Sequence, residues 1–406
     1  MQITLNAELK ALIRRAASDV GFDLCGIAPA ADAAELQHFP AWIAAGRAGE
    51  MKYMEARDEQ GELKRSSLAR VAPWARSVIV CAINYNTGHP YSTQVQQCEV
   101  QQSEQIRSGA PLKPDFGLSG KGSDKGRSDR GWISRYAWSR EDYHDAVLRR
   151  LKRVEAALHK EVWGGHSCPP TKKLNPPDLI TRSYVDTGPI VERVFAKYAG
   201  IGWIGKNTCL INQKKGSWLF LGVILTSLEL SPDVSDLNPP APNRCGSCTR
   251  CIQACPTDAI IAPYQLDSNK CISYLTIEKR GSIPEDLRAG MGRHLFGCDI
   301  CQDVCPWNRK APLTTATEFE PRPGLVSPVL AWLAEMSEEE FRETFRRSPI
   351  RRARRSGLRR NAAIAMGNSA NPDFLPLLEN LSTDPDESVA ESARWAKARL
   401  RAPRHQ

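Results

Sequence analysis

Eight of the thirteen cysteines in this chain fall into one pattern, and that pattern restricts the fold more than any other feature. Cys245, Cys248, Cys251 and Cys255 are spaced C-x2-C-x2-C-x3-C and are followed by Pro256. Cys298, Cys301 and Cys305 repeat the end of that run as C-x2-C-x3-C before Pro306, with Cys271 upstream as the displaced first member. Thiolates at this spacing wrap a four-iron, four-sulfur cubane from one tight loop. The cysteine before the proline is carried onto the following helix and reaches the other cluster. The expected assignment is Cys245, Cys248, Cys251 and Cys305 around one 4Fe–4S cluster, and Cys255, Cys271, Cys298 and Cys301 around the second. A pair of zinc sites is the competing account, because C-x2-C pairs also suit tetrahedral zinc. The crossed, proline-terminated runs count against it. Two neighbouring cubanes imply one-electron chemistry.

A length of 406 residues leaves room for two or three domains. With 41% hydrophobic and 25% charged residues, the composition is that of a soluble globular protein. Near the amino terminus, Leu5, Leu9, Leu12, Ile13 and Ala16 lie on one face of a helix that carries Arg14 and Arg15. This is not the pattern of a signal peptide. The longest strongly apolar run, 218–225, is too short to cross a bilayer. The remaining cysteines (Cys25, Cys81, Cys98, Cys168 and Cys209) have no regular spacing and suit a reducing compartment better than a disulfide framework. The expectation is a cytoplasmic protein without membrane segments, and a monomer in the absence of any oligomer signal.

The net charge of +9 is concentrated, because 346–360 holds eight arginines and no acid. Such a block suits a phosphate backbone. A solvated helix face is the plain alternative, but a position just before a helical repeat favours nucleic acid.

Helix and strand signals alternate through the first part of the chain: helix about 4–20, strand Ser77–Asn84, helix Glu141–Val162, strand Leu179–Val185, helix Ile190–Ala199, strand Trp218–Thr226. They predict an α+β domain over 1–235. Two segments, 86–131 and 164–177, lack hydrophobic periodicity and read as loop insertions outside the fold. Residues 238–242 are a linker within a cluster domain spanning 236–315. Residues 316–406 turn helical, with alanine-rich helices at 359–367, 373–381 and 387–400 that resemble a HEAT-type pair.

Three other motifs bear on function. Gly200, Gly202 and Gly205 satisfy G-x-G-x-x-G, but Val191, Val194, Phe195 and Tyr198 before them have helical spacing. A helix exit and turn therefore explains them better than a dinucleotide loop. Asp142 and His144 begin a D-x-H-x-x-G cobalt signature that Val147 leaves incomplete, and there is no C-x3-C-x2-C. Asp186 lies past a short strand and ahead of a helix. It is either that helix's N-cap or an acid whose pKa burial would have to raise from about 3.9.

SRYAWSREDYH (134–144), YVDTGPIVER (184–193), AGIGWIGKN (199–207), CGSCTRCIQACPTDAI (245–260), KCISYLTIE (270–278), LFGCDICQDVCPWN (295–308) and RRNAAIAMGN after the basic block resemble the epoxyqueuosine reductase family. The likeness covers nearly the whole chain except the two insertions. It implies a cobalamin-binding first domain of the nitroreductase and reductive-dehalogenase type, a ferredoxin-type two-cluster domain and a HEAT-like carboxy-terminal part. The implied reaction reduces epoxyqueuosine to queuosine at the wobble position of tRNAs with GUN anticodons (Asp, Asn, His, Tyr), the last step of queuosine biosynthesis. Asp186 would be the proton donor. Arg65, Ser134, Asp186, Leu210, Leu221, Ile272, Ser273, Asp299 and Ile300 would line the cobalamin. Lys279, Arg351, Arg352, Arg354, Arg355, Arg359 and Arg360 would face tRNA, and an external low-potential donor would supply electrons. A corrinoid and iron–sulfur reductase of a small molecule, such as a dehalogenase, is the alternative, although it predicts neither the arginine block nor the helical tail.

Overall fold

The computed structural model describes residues 2–93, 129–164, 179–235 and 238–402. Most of both predicted insertions, with Cys98 and Cys168, lies outside the described residues. The first portion contains α1 (Gln2–Asp19), β1 (Leu24–Pro29), α2 (Phe39–Ala44), β2 (Ser77–Asn84), β3 (Trp132–Ile133), α3 (Tyr143–Gly164), β4 (Thr181–Tyr184), α4 (Glu192–Tyr198), β5 (Trp203–Ile204), β6 (Leu210–Ile211) and β7 (Leu219–Thr226). Strands β1, β2, β7 and β4, in that order, form an antiparallel sheet.

Strand β2 is buried along its whole length because its two faces serve two cores. Ile79, Cys81 and Ile83 pack with Leu9 and Ile13 of α1 and Val147, Leu151 and Leu158 of α3. Val78, Val80 and Ala82 pack with Phe195 and Ala196 of α4. The sheet is thus sandwiched between helices. Strand β1 is a correction to the sequence reading: LCGIAP is short, contains glycine and ends on proline, so it carries little strand signal. The glycine-rich stretch is a helix exit and hairpin. Gly200 has φ 72°, and a Cβ on Gly202 would stand 2.2 Å from the Ile211 carbonyl oxygen.

The cluster portion holds α5 (Arg250–Gln253), β8 (Ile260–Ala262), β9 (Gln265–Leu266), α6 (Ile272–Ile277), α7 (Glu285–Arg288), β10 (His294–Phe296) and α8 (Ile300–Asp303). The tail adds α9 (Leu330–Glu335), α10 (Glu338–Thr344), α11 (Arg354–Asn368), α12 (Leu375–Leu381) and α13 (Glu387–Arg401). One apolar core crosses all three parts, joining Ile133 and Trp138 to Leu295 and Phe296 and to Leu330, Ala363 and Ala393. Strand β3 pairs in parallel with β10. The described edges of the first insertion also belong to this packing. Asn86 is buried, Tyr91 Oη donates to the Asn308 carbonyl (3.1 Å), and Gly131 N–H donates to the Pro328 carbonyl (2.9 Å). Helices α11 and α13 approach closely, since a Cβ on Gly367 would lie 2.8 Å from the Ala396 Cα. No helix among the described residues is long and apolar enough to cross a membrane.

Arg360 corrects the expectation that the whole arginine block faces RNA. It is 1% exposed and donates to the carbonyls of Leu275 (2.8 Å), Lys279 (2.9 Å) and Gly281 (2.7 Å). Its neighbour Asn361 donates to the carbonyls of Thr276 and Leu295. Together they pin α11 to the end of α6 and to β10. Burial pulls the guanidinium down to about 10, which still leaves it charged at neutral pH. Replacing Arg360 with Ala removes three hydrogen bonds, leaves the buried Leu275 carbonyl short of a donor and opens a cavity, and is expected to cost about 3 kcal/mol in chemical denaturation of the cluster-loaded protein. A loss under about 0.5 kcal/mol would reject this role.

Candidate active site

The two cysteine runs each turn through a short helix, α5 within the first and α8 within the second. The charges that the thiols feel show which of them lie near one another. Burial and then the neighbouring Cys245 and Cys251 push the Cys305 thiol up to about 11. Cys271 is raised by burial and by Cys255. Cys298 is raised by desolvation and further by Cys271. The structure therefore brings Cys305 to the first run and Cys271 to both Cys255 and Cys298. Thiolates crowded into so dry a space need a positive body between them, which an iron–sulfur core provides. No group of three or more His, Cys, Asp or Glu side chains among the described residues is gathered for a single metal ion. Of the cysteines left over from the pattern, Cys209 lies against Cys301, and Cys25 faces Cys81 across β1 and β2 with sulfurs 3.8 Å apart.

Sequence reasoning assigned no role to Lys206 and Asn207, which sit in the turn between β5 and β6. Lys206 Nζ donates to the carbonyls of Gly246 (2.6 Å) and Cys248 (3.0 Å), and Asn207 Nδ2 to that of Cys301 (3.1 Å). Adjacent residues of the first portion thus hold both cysteine loops. The motif AGIGWIGKN was visible, but nothing in its spacing pointed to carbonyls distant in sequence.

A cavity of about 610 Å³ opens where the three parts meet. The first portion contributes Tyr53, Tyr136, Tyr143, Asp186, Glu192, Phe220 and Leu221; the cluster portion Cys271, Ser273, Tyr274 and Glu278; and the tail Ser348, Pro349 and Arg352. Asp186 is not an N-cap. Helix α4 starts at Glu192 behind Val191, which makes no side-chain cap, and Asp186 itself has left-handed backbone geometry, φ 54°. Its Oδ2 accepts a hydrogen bond from Tyr143 Oη at 2.9 Å. Tyr143 is held by stacking on Phe220, with ring centroids 4.4 Å apart and planes 3° from parallel. Burial, and then the Asp186 charge, keep the phenol well above its ordinary pKa, so it remains a donor.

Of the residues expected around a cofactor, Asp186, Leu221 and Ser273 line this cavity. Arg65, Ser134, Leu210, Ile272, Asp299 and Ile300 are not among its lining residues. Arg65 donates to the carbonyls of Tyr53 (2.8 Å) and Gly188 (2.9 Å), fixing the loop that carries Asp186. Ser134 Oγ donates to Asp299 Oδ1 at 2.5 Å, while Leu210, Ile272 and Ile300 are buried in the packing.

The basic residues divide in the same way. Arg346, Arg347, Arg351, Arg352 and Arg354 are exposed. Arg355 is partly buried, with Nε on the Met336 carbonyl (2.6 Å). Arg359 pairs with Asp384 at 2.6 Å, and Lys279 pairs with Glu50, so both have acids as partners rather than standing free. Arg352 pairs with Glu278 (2.6 Å) and lies over the Tyr53 ring. Arg352, Ser348 and Asp142 also line a second surface depression with Arg346, Arg347 and Arg351. The mouth of the cavity therefore adjoins the arginine surface.

A family model described as "4Fe-4S double cluster binding domain" matches residues 244–308, and one described as "Epoxyqueuosine reductase QueG, DUF1730" matches 112–187. An epoxyqueuosine reductase of Xanthomonas campestris is 35% identical over 96% of this chain and 95% of its own length. The chain belongs to the epoxyqueuosine reductase family. Another member, from Synechocystis sp., is 39% identical over 83% of this chain and 98% of its own. A crystal structure of epoxyqueuosine reductase with an epoxyqueuosine-modified tRNA-Tyr stem loop superposes with TM-score 0.76 at 28% identity, covering 97% of this chain and 91% of that one. Members of this family are oxidoreductases, and this one carries a double 4Fe–4S binding domain.

The crossed ligand sets make a direct prediction. Cys305→Ala and Cys245→Ala should each lose the same cluster, about half of the bound iron, while Cys255→Ala and Cys298→Ala lose the other. Iron analysis with electron paramagnetic resonance of the reduced protein reads this out. Loss of different signals in Cys305→Ala and Cys245→Ala would reject the crossing.

Proposed function

We propose that this chain reduces epoxyqueuosine to queuosine at the wobble position of tRNA, with Asp186 as the proton donor. The observation that carries this reading is the cavity itself: an acid on one wall, the cluster cysteine Cys271 on another, and an arginine surface at its mouth. A small-molecule reductase has no use for that surface.

The reaction removes the epoxide oxygen as water and leaves an alkene, taking up two electrons and two protons. Breaking a C–O bond without protonation would expel an alkoxide, a poor leaving group, and an acid placed at the oxygen removes that barrier. Tyr143 Oη binds one oxygen of Asp186, leaving the other to hold the proton. The 4Fe–4S clusters carry electrons singly from an external low-potential donor. The cavity fits a cobalamin in that its walls combine aromatic faces and aliphatic groups with Asp186 and Ser273, and one wall is a cluster ligand. Cobalamin bound there would supply low-valent cobalt, a strong reductant and nucleophile. Asp186, Leu221 and Ser273 would touch it. Arg65, Ser134, Leu210, Ile272, Asp299 and Ile300 would support it from behind.

In this reading residues 1–235 are a dehalogenase-like catalytic domain, 236–315 a ferredoxin-type domain and 316–406 a HEAT-like RNA-binding domain, acting as a cytoplasmic monomer. Arg346, Arg347, Arg351, Arg352 and Arg354 grip the anticodon arm while the modified base enters the cavity, as enzymes acting on a single base commonly require.

Asp186→Asn should lower conversion of an epoxyqueuosine-containing stem loop by at least about 100-fold, measured by nucleoside mass spectrometry. Its RNA affinity should stay unchanged. Full activity in the variant would remove Asp186 from the reaction, and no conversion by the cluster- and cobalamin-loaded wild type would reject the function. Arg351→Ala should weaken RNA binding and reduce the slope of log affinity against log salt by about 1. An unaltered slope would place Arg351 outside the interface.

A further inference from the structure

Each turnover of the proposed reaction consumes two protons, and Asp186 holds one. The supply of the other is decided by what stands behind Asp186. Its loop runs through Thr187, Gly188 and Pro189 into α4, whose first residue is Glu192. Glu192 lines the same cavity as Asp186. Its Oε1 is shut off from solvent and has no hydrogen-bond partner, an arrangement that a carboxylate tolerates badly and a carboxylic acid much better.

We propose that Glu192 is a second acid of this site, which recharges Asp186 with the second proton of each turnover. The inference rests on the epoxide-reduction reading. In balance, two C–O bonds break, a C=C π bond and two O–H bonds form, and water leaves. The electrons come one at a time through the clusters from the external low-potential donor. The first proton passes from Asp186 to the oxygen. The second passes from Glu192 to Asp186 and on to the departing hydroxyl, and solvent then restores both acids.

The charged groups facing Glu192 agree with this role. Burial, and then the Asp186 charge, raise its carboxyl to about 7, while its own backbone N–H, Arg193 and Arg65 pull the other way. Both guanidiniums also bind backbone: Arg65 the carbonyls of Tyr53 and Gly188, and Arg193 that of Thr208 (2.9 Å). The negative charge of Asp186 disfavours a second charge on Glu192 in the same cavity. A merely structural Glu192, an anion at a helix start, would have no protonated form to give near neutral pH.

Infrared difference spectra of the cluster-loaded wild type minus Glu192→Gln, without RNA, test the acid directly. A protonated carboxyl band should disappear with a midpoint near 7. A midpoint at an ordinary value of about 4.3 would overturn the proposal whatever the enzyme's activity. In turnover, wild-type rate should fall as pH rises through about 7, because the donor is then deprotonated. Glu192→Gln should be about tenfold slower below that pH and lack this limb, with its KM for the stem loop unchanged, whereas Glu192→Asp should keep the limb. An unchanged rate and limb in Glu192→Gln would also overturn it. Should Glu192→Gln fail to retain its clusters, the difference spectrum against Glu192→Ala gives the same midpoint. A wild type that converts no RNA but shows the infrared midpoint near 7 would end the reaction assignment and leave Glu192 as an acid of this cavity.

Discussion

The interlocking of the two cysteine runs is the constraint on which the rest of the molecule depends. Because Cys305 lies near Cys245 and Cys251, and Cys271 near Cys255 and Cys298, neither half of the cluster portion can be placed without the other. Fixing Cys271 fixes α6, which it precedes. Helix α6 in turn supplies Ser273, Tyr274 and Ile277 to the cavity wall. The packing of the cysteine runs therefore also sets one side of the cavity.

The parts of the chain are joined by polar contacts as well as by apolar packing. Arg360 and Asn361 tie the tail to the backbone around α6 and β10. Lys206 and Asn207 tie the first portion to both cysteine loops. The contacts of Arg360 with Leu275 and of Asn361 with Thr276 and Leu295 are buried and so costly to leave unmade, because those carbonyls have lost their water. Their expense gives them directional precision, which a shared apolar core lacks. The cavity lies between these fastened surfaces, so its walls hold fixed relative positions. The Asp186 loop is fastened as well, by Arg65 at the Gly188 carbonyl and by Tyr143 at the carboxyl.

Within the cavity, the Tyr143 phenol gives its hydrogen bond and the Asp186 carboxyl receives it. Tyr143 can serve Asp186 only as a neutral donor, and burial among Tyr136, Phe220 and the sheet keeps it neutral. The acid is therefore oriented by a group that cannot compete with it for the proton. Arg352 joins this interior to the exterior, since it shares Glu278 and Tyr53 with the cavity and the arginine surface with the solvent.

The sequence by itself determined the elements whose signal is local. Strand β2 is found where a run of eight residues, six of them apolar and several β-branched, predicted it, and α3 and the later tail helices fall close to their hydrophobic periods. The cysteine spacing likewise carried its chemistry on its face, because a loop that wraps a cubane has little freedom in length. Tertiary structure alone decided the fate of residues whose type does not reveal their partner. Arg351 and Arg360 look alike in the chain, yet one is exposed and the other is sealed against three carbonyls. Asp186 had the spacing of an N-cap until the helix was found to begin at Glu192, and Lys206 gave no hint of carbonyls some forty residues away. The physical reason is range: periodicity and loop closure act between near neighbours in sequence, whereas the burial and hydrogen bonding of a long polar side chain depend on backbone brought in from elsewhere.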